Sequence, residues 1–334
     1  MKSYPDIRLR RLRNPVAMRR MLDAPLPGPE KFIWPVFVRS GSGIREPISA
    51  MPGQCRMSPD VLIAELARVV ASGIGGVLLF GLPDPAHKDA SGSAACDDAG
   101  PVQQAVRLIR QAYPDLVVVT DVCVCAYTAH GHCGPLGAEG EVDNDAANVV
   151  LAEVALSHAA AGATIVAPSA MMDGQVAAIR RALDGAGFQQ TAIMAYSTKF
   201  ASACYGPFRE AEASAPQSGD RQGYQTSYRN LRLALRESAL DEAEGADILM
   251  VKPGLFYLDV LARVREQTDL PLAVYNVSGE YAMLIATAER GWGDLRAMVR
   301  ESTAALMRSG ADILISYWAN RYDEIFGNET AARN

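Results

Sequence analysis

A single (β/α)8 barrel, a TIM barrel with an extended N-terminal arm, is the fold this sequence predicts, on three observations. Eight short, nearly unbroken apolar runs alternate with helical stretches, the pattern of parallel strands covered on both faces. The length, 334 residues, suits one such barrel or two medium domains. No GxGxxG turn follows the first run, which lowers a doubly wound sheet, the runner-up for alternating βα units.

Residues 1–30 carry Pro5, Pro15, Pro25, Pro27 and Pro29 among charged side chains and cannot build a core element alone. They read as an arm, with the barrel over 31–330. The arm holds Arg8, Arg10, Arg11, Arg13, Arg19 and Arg20. So short a basic run before a folded domain favours salt bridges to a neighbouring subunit over a nucleic-acid arm.

The predicted strands are 33–38, 76–81, 116–122, 164–169, 191–196 running on to Lys199, 247–251, 271–278 and 312–318. Ser58-Pro59 opens the first barrel helix, with Ser as N-cap and Pro at the first helical position. The other helices fall at about 103–112, 144–161, 172–185, 228–243, 258–267, 281–289 and 295–309. Gly162 ends the 144–161 helix. A repeated Gly-Ala-(Thr/Asp)-Ile, at 162–165, 245–248 and 310–313, looks like helix ends feeding strands. One connection, 200–227, is too long for a barrel loop and holds Phe208, Arg209 and Arg221. It predicts a mobile active-site lid that brings cations to a carboxylate substrate.

Bulk properties exclude several function classes. With 49% hydrophobic and 21% charged residues the composition is that of a soluble globular protein. The net charge of −6 gives no general attraction to nucleic acid. No apolar h-region follows the arginine-rich start, and no run of about 18 apolar residues predicts a membrane span. The expectation is a cytoplasmic protein whose six scattered cysteines are reduced thiols or metal ligands.

Barrel enzymes carry their chemistry at the C-terminal ends of the strands. Those ends supply Asp121, Cys123 and Cys125, then Ser169, Tyr196 with Lys199, Lys252, Ser278 and Tyr317. Only five lysines occur, and two of them, Lys199 and Lys252, stand at strand exits. A neutral amine attacks a ketone to form a Schiff base, which arginine cannot do. Surface lysines at loop starts are the plainer alternative. A second ammonium nearby and an apolar pocket would both lower an amine pKa from its usual value of about 10.4. Two such lysines would let one site hold two ketones.

The stretch Asp121-Val-Cys123-Val-Cys125-Ala-Tyr127-Thr-Ala-His130-Gly-His132-Cys133 is the densest metal-capable segment. Three thiolates this close suit zinc, with a fourth position left open for water or substrate. Cys55, Cys96 and Cys204 lack sequence partners and read as ordinary thiols.

Nearly the whole chain resembles the 5-aminolevulinate dehydratase (porphobilinogen synthase) family. The resemblance is carried by "RLRRLR", "PVFV", "TDVCVCAYTAHGHCG", "APSAMMDG", "YSTKFASACYGPFREA", "RESALDEAEGADILMVKPG", "YNVSGEYAM" and "SYWA". It implies a barrel whose arm wraps a neighbouring subunit, usually in a homo-octamer. It implies the condensation of two 5-aminolevulinate molecules to porphobilinogen with loss of two waters, a step of tetrapyrrole and heme synthesis. Lys252 would bind the first substrate and Lys199 the second, each as a Schiff base. Ser278 and Tyr317 would hold the first carboxylate; Arg209, Arg221 and Gln225 would hold the second under the lid. Asp121, Ser169, Tyr196 and Phe208 would line the site. Cys123, Cys125 and Cys133 match the zinc-type pattern, and Glu237 matches an allosteric magnesium ligand found in part of the family. Two positions depart from the pattern: Gln222 stands where a lidal lysine is expected, and Ala170 where an aspartate is common. A lysine Schiff-base aldolase and a non-catalytic zinc-binding or assembly protein are the competing functions.

Overall fold

A computed structural model describes residues 7–330; Lys2, Pro5 and the rest of 1–6, together with 331–334, lie outside the described residues. In chain order the strands are β1 (Phe32–Arg39), β2 (Arg45–Pro47), β3 (Cys55–Met57), β4 (Gly76–Leu82), β5 (Val117–Val122), β6 (Ile165–Pro168), β7 (Ala192–Lys199), β8 (Ile248–Lys252), β9 (Leu272–Asn276) and β10 (Ile313–Ser316). The helices are α1 (Val16–Leu22), α2 (Pro59–Ala71), α3 (Pro101–Ala112), α4 (Asn144–Ala161), α5 (Gln175–Gly185), α6 (Gly206–Glu212), α7 (Leu231–Ala243), α8 (Leu258–Arg265), α9 (Ser278–Glu289), α10 (Leu295–Arg308) and α11 (Tyr322–Thr330).

Strand order runs β10-β9-β8-β7-β6-β5-β4-β1, and β10 also pairs with β1. That last pairing, parallel through Phe32 with Leu314 and Ile33 with Ile315, closes the sheet and rules out the doubly wound alternative. Strands β4, β6 and β9 are buried along their whole length, which is why they read as unbroken apolar runs.

The repeated Gly-Ala-(Thr/Asp)-Ile segments are one device used three times at the bottom of the barrel. Gly162, Gly245 and Gly310 take φ of 106°, 102° and 110°, left-handed values that suit glycine and stop the preceding helices. The alanine that follows is buried each time. The third residue then ties the incoming strand to the one before it. Thr164 Oγ1 accepts from the Val118 N–H at 3.2 Å, Asp247 Oδ2 from Ile193 N–H at 2.8 Å, and Asp312 Oδ2 from Leu272 N–H at 2.9 Å. Strand register is thereby fixed at the end opposite the chemistry.

Some local expectations are corrected. Ser58 does sit at the N-cap of α2, but its hydroxyl makes no capping bond. It accepts from the Ile44 N–H at 2.9 Å instead and anchors the β2–β3 hairpin. That hairpin, α6 and α11 were not foreseen. The 200–227 connection is not a bare loop: it contains α6, and its ends meet where Phe200 pairs with Thr226. Arg56, on β3, donates from Nε and Nη2 to the carbonyls of Ala211 and Glu210, both at 2.7 Å, and so holds the C-terminal end of α6. In the arm, Ile7, Leu9, Leu12, Val16, Met21 and Leu22 are all exposed.

Candidate active site at the barrel mouth

Lys199 and Lys252 are the last residues of β7 and β8, and they stand opposite each other in register. In a regular strand Tyr196 and Lys199, three apart, would face opposite sides. The pairing with β8 shifts between Ala195 and Thr198, and this irregularity re-aims the strand end. Thr198 turns outward, its hydroxyl at 3.0 Å from the Ala234 carbonyl and 2.6 Å from Ser238 Oγ on α7. Tyr196 and Lys199 both turn inward, with Lys199 Nζ 5.5 Å from the Tyr196 ring centre.

The two amines meet different walls. Lys252 Nζ lies 4.1 Å from the Tyr275 ring centre, 4.9 Å from those of Tyr196 and Phe208, 5.5 Å from Tyr205 and 5.9 Å from Phe80. Burial among these rings, with the neighbouring Lys199 charge second, pulls its pKa down to about 7. Lys199 Nζ instead donates to the Ser169 carbonyl at 2.5 Å. Ser169 therefore contacts the lysine through its backbone.

A narrow cavity is lined by both lysines together with Asp121, Cys125, Ser169, Phe208, Arg209 and Arg221, all foreseen, and by Phe80, Tyr205 and Glu212, which were not. The 200–227 segment contributes Tyr205, Phe208, Arg209, Glu212 and Arg221 to its wall. The Phe208 N–H donates to Ser278 Oγ at 3.0 Å, and the Phe208 ring packs on Phe80 at 5.0 Å and Phe37 at 5.5 Å. Ser278, the first residue of α9, thus ties the 200–227 segment to the barrel mouth. Arg221 Nη2 donates to the carbonyls of Ser214 and Gly131, which joins the lid to the cysteine loop. Arg209 Nε, Arg221 Nε and both amide atoms of Gln225 are buried without a hydrogen-bond partner. Buried donors of this kind suit an anionic ligand. Tyr317 is one layer back, its hydroxyl 3.1 Å from that of Tyr275.

Carboxyls in the site are driven toward their neutral forms. Burial, then the Glu212 charge, raises Asp121 to about 7, against the opposing pull of Lys199. Burial raises Glu212 to about 8, with Cys125 adding to it.

Cys123 and Cys125 follow Asp121 at two-residue spacing, and Cys133 returns on the next loop. The three sulfurs, all buried, lie within 4.8 Å of one another, a set that fits a thiolate-bound metal ion such as zinc. Hydrogen bonds from Cys123 and Cys125, helped by Arg221 and Lys199, hold Cys133 well below the usual thiol range. The nearby histidines are engaged elsewhere. His132 Nδ1 is 3.2 Å from the Tyr224 hydroxyl and its Nε2 3.0 Å from the Ser218 carbonyl; His130 Nε2 is 3.1 Å from the Ala90 carbonyl. Glu237 is apart from all this, half-buried on α7 in a second cleft with Asp173, Gln222 and Gln225. Burial first, then the Asp173 and Glu244 charges, raises its carboxyl. Gln222 folds back on Asp220 at the surface, and Ala170 is buried.

Glu212 escaped the sequence because it looked like one more charge on a lid. The signal was its spacing: four residues after Phe208, it shares that residue's helical face.

The family model for delta-aminolevulinic acid dehydratase matches residues 6–325. A delta-aminolevulinic acid dehydratase from Methanothermobacter thermautotrophicus is 51% identical over 319 residues, 95% of this chain and 96% of its own. One from Synechococcus elongatus is 48% identical over 319 residues, 95% of this chain and 97% of its own. A crystal structure of the Toxoplasma gondii enzyme with its reaction product porphobilinogen superposes with a TM-score of 0.95 at 39% identity, covering 99% of this chain and 94% of that one. With the closed barrel and the paired lysines, these matches establish that the chain belongs to the delta-aminolevulinic acid dehydratase (porphobilinogen synthase) family of enzymes.

Proposed function

We propose that Lys199 and Lys252 carry, as two Schiff bases, the condensation of two 5-aminolevulinate molecules to porphobilinogen with loss of two waters, the family's step in tetrapyrrole synthesis. The observation that carries this reading is the pair itself: two amines in register, one of them in an aromatic wall that brings its pKa to about 7. An aldolase on the same barrel would need one such lysine and no thiol cluster.

Lys252, neutral in a large fraction of molecules near pH 7, attacks the ketone of the first substrate, and water leaves as the imine forms. Lys199 does the same to the second. Ser278 and Tyr317 receive the first carboxylate once the lid opens the Ser278 contact. Arg209, Arg221 and Gln225 receive the second through their buried, unpartnered donors. Asp121, close to half-protonated near pH 7, is placed to give and take protons between the two imines. Tyr196 and Phe208 keep water from Lys252. Zinc held by Cys123, Cys125 and Cys133 would supply Lewis-acid polarisation on the Lys199 side.

The exposed apolar arm, with Ile7 79% and Met21 72% exposed, supports a homo-oligomer, with an octamer as the family's usual form. Glu237, in its acidic cleft, is the position for an allosteric magnesium. No helix among the described residues is long and apolar enough to cross a membrane, in keeping with cytoplasmic work on a small metabolite.

Porphobilinogen formation from 5-aminolevulinate, followed with and without a strong zinc chelator, tests the reading. Product that vanishes on chelation and returns with zinc is the expected result. Product that survives chelation would remove zinc from the chemistry. No product from folded protein given zinc and magnesium would overturn the condensation itself.

A further inference from the structure

Glu280, the third residue of α9, has no part in the two-lysine scheme, yet it is 0% exposed. A carboxylate this deep needs donors. At this place in a helix a glutamate reaches back to the N–H of its own N-cap, and Glu280 Oε2 does accept from the Val277 N–H at 2.9 Å. Capping requires no more than that. The same oxygen also accepts from Asn276 Nδ2 at 3.0 Å, and Oε1 crosses to another strand exit, accepting from the Leu255 N–H at 2.7 Å. Burial pushes this carboxyl up to about 7, while its bonds with Leu255, Val277, Asn276 and Gly254 favour the charged form.

The bonds continue beyond Asn276. Its Oδ1 accepts from Ser316 Oγ at 3.2 Å, and Ser316 Oγ accepts from the Trp318 N–H at 3.3 Å. Glu280, Asn276 and Ser316 are all buried. One network therefore runs from the exit of β8, through that of β9, to that of β10. Each exit carries a residue of the first-substrate side. Lys252 precedes Leu255 by the Pro253-Gly254 turn, Ser278 follows Val277 directly, and Tyr317 lies between Ser316 and Trp318. The ladder between β8 and β9 ends with Val251 opposite Val274, one residue short of Lys252. Beyond that point Glu280 supplies the link between the two strand exits.

We propose that Glu280 is a positioning residue that fixes the span between the Lys252 amine and the Ser278–Tyr317 carboxylate seat. It thereby selects the chain length of the first keto acid, an inference that rests on the roles proposed for those three residues. 5-Aminolevulinate is a 4-oxo acid, with two methylenes between ketone and carboxyl. Its ketone carbon must meet Lys252 Nζ while its carboxylate reaches the seat, so the three strand exits must keep a set separation. A fit that is wrong by one methylene costs about 10–200-fold. Glutamine at this position would turn an N–H toward the surrounding donors and leave one of them buried without an acceptor. The two exits would then part, and the span with them.

The test compares full-length wild type, Glu280→Gln, Ser316→Ala and Leu183→Ala, with folding checked by circular dichroism. Leu183 is a buried core residue of α5, and its variant controls for lost stability alone. Each protein is given 4-oxopentanoate or its homologue 5-oxohexanoate, neither of which has the amine needed for condensation. Imines are reduced with cyanoborohydride, and the Lys252 adduct is measured by peptide mass against ligand concentration. Wild type should prefer 4-oxopentanoate by at least about tenfold in half-saturation. Glu280→Gln should bring the two acids within about threefold of each other, mainly by weakening the shorter one. Ser316→Ala should lose part of the preference, and Leu183→Ala should melt lower but keep it. An unchanged preference in folded Glu280→Gln, or an equal loss in Leu183→Ala, would overturn the inference. If Glu280→Gln does not fold, an unchanged preference in Ser316→Ala would do so. A wild type that traps both acids equally at Lys252 would also overturn it and leave the Lys252 reading standing. A wild type that traps neither acid at Lys252 would overturn that reading, and this inference with it.

Discussion

Lys252 and Lys199 occupy matching positions on neighbouring strands, but their surroundings differ in kind. Around Lys252 stand five aromatic rings from β4, β7, β9 and the lid. Around Lys199 stand the Ser169 carbonyl, Asp121, Glu212 and the thiol cluster. An apolar wall disfavours the ammonium form and makes a nucleophile; a polar wall offers partners for charge and for a metal ion. The difference suggests a division of labour, in which the aromatic side forms its imine unaided and the polar side works with a metal. It also suggests an asymmetry under mutation.

Replacement of either lysine is the most drastic way to break that comparison. Lys252→Met, which keeps the volume of the buried side chain, should lower turnover roughly ten-thousandfold or more, as expected for loss of a covalent nucleophile. Melting temperature should hold or rise, because a desolvated amine is removed. Colorimetric assay and calorimetry check both statements, and a variant that keeps full activity would end the two-lysine scheme. Lys199→Met should also be close to inactive, yet still trap one substrate at Lys252 after borohydride reduction, seen by peptide mass. Since the Lys199 charge helps to lower Lys252, the pH limb of that trapping should move upward. Trapping at an unchanged pH would mean that the rings alone set the Lys252 pKa.

A lid cation is the next effect in size. Arg209 is half-buried, lines the cavity and keeps Nε without a partner. A charged hydrogen bond of about 1.5–3 kcal/mol corresponds to roughly 10–150-fold in binding. Arg209→Gln should therefore raise KM by about that factor with a smaller change in kcat, as saturation kinetics would show. An equal fall in kcat at constant KM would place Arg209 at the transition state instead.

Much of this was legible in the sequence for physical reasons. Parallel strands buried on both faces must be apolar throughout, so β4, β6 and β9 announce themselves, and an αL stop needs glycine, so Gly162, Gly245 and Gly310 do too. Strand ends locate Asp121, Lys199 and Lys252 because a barrel presents those ends on one face. What was not legible depends on three-dimensional proximity. The β2–β3 hairpin has three-residue strands with no hydrophobic period. Ser58 matches a cap signal, yet tertiary structure gives its hydroxyl a different donor. Tyr275 and Phe80 read as ordinary strand residues, and only the closed barrel aims them at Lys252. Helix α6 did carry a signal, Pro207 at its second position, which the length of the loop around it hid.

The finest test separates the two ways an aromatic wall can act on Lys252. Its amine has a pKa of about 7, so the protonated fraction rises as pH falls below that value and imine formation should drop about tenfold per unit there. Above about pH 7 the rate should level off. Phe208, the ring contributed by the lid, can be changed in two directions. Phe208→Leu keeps the wall dry without its π face, whereas Phe208→Gln keeps bulk but admits a polar group. If desolvation dominates, as its place as the largest cause implies, Phe208→Leu should leave the limb within about 0.3 unit of its position. Phe208→Gln should move it up by about one unit and slow imine formation at pH 6.5 by up to about tenfold. A ring's attraction for a cation works in the opposite sense, favouring the ammonium. A limb that moves down in Phe208→Leu would therefore show that the rings hold Lys252 as a cation, and the contrast between the two lysines would have to be redrawn.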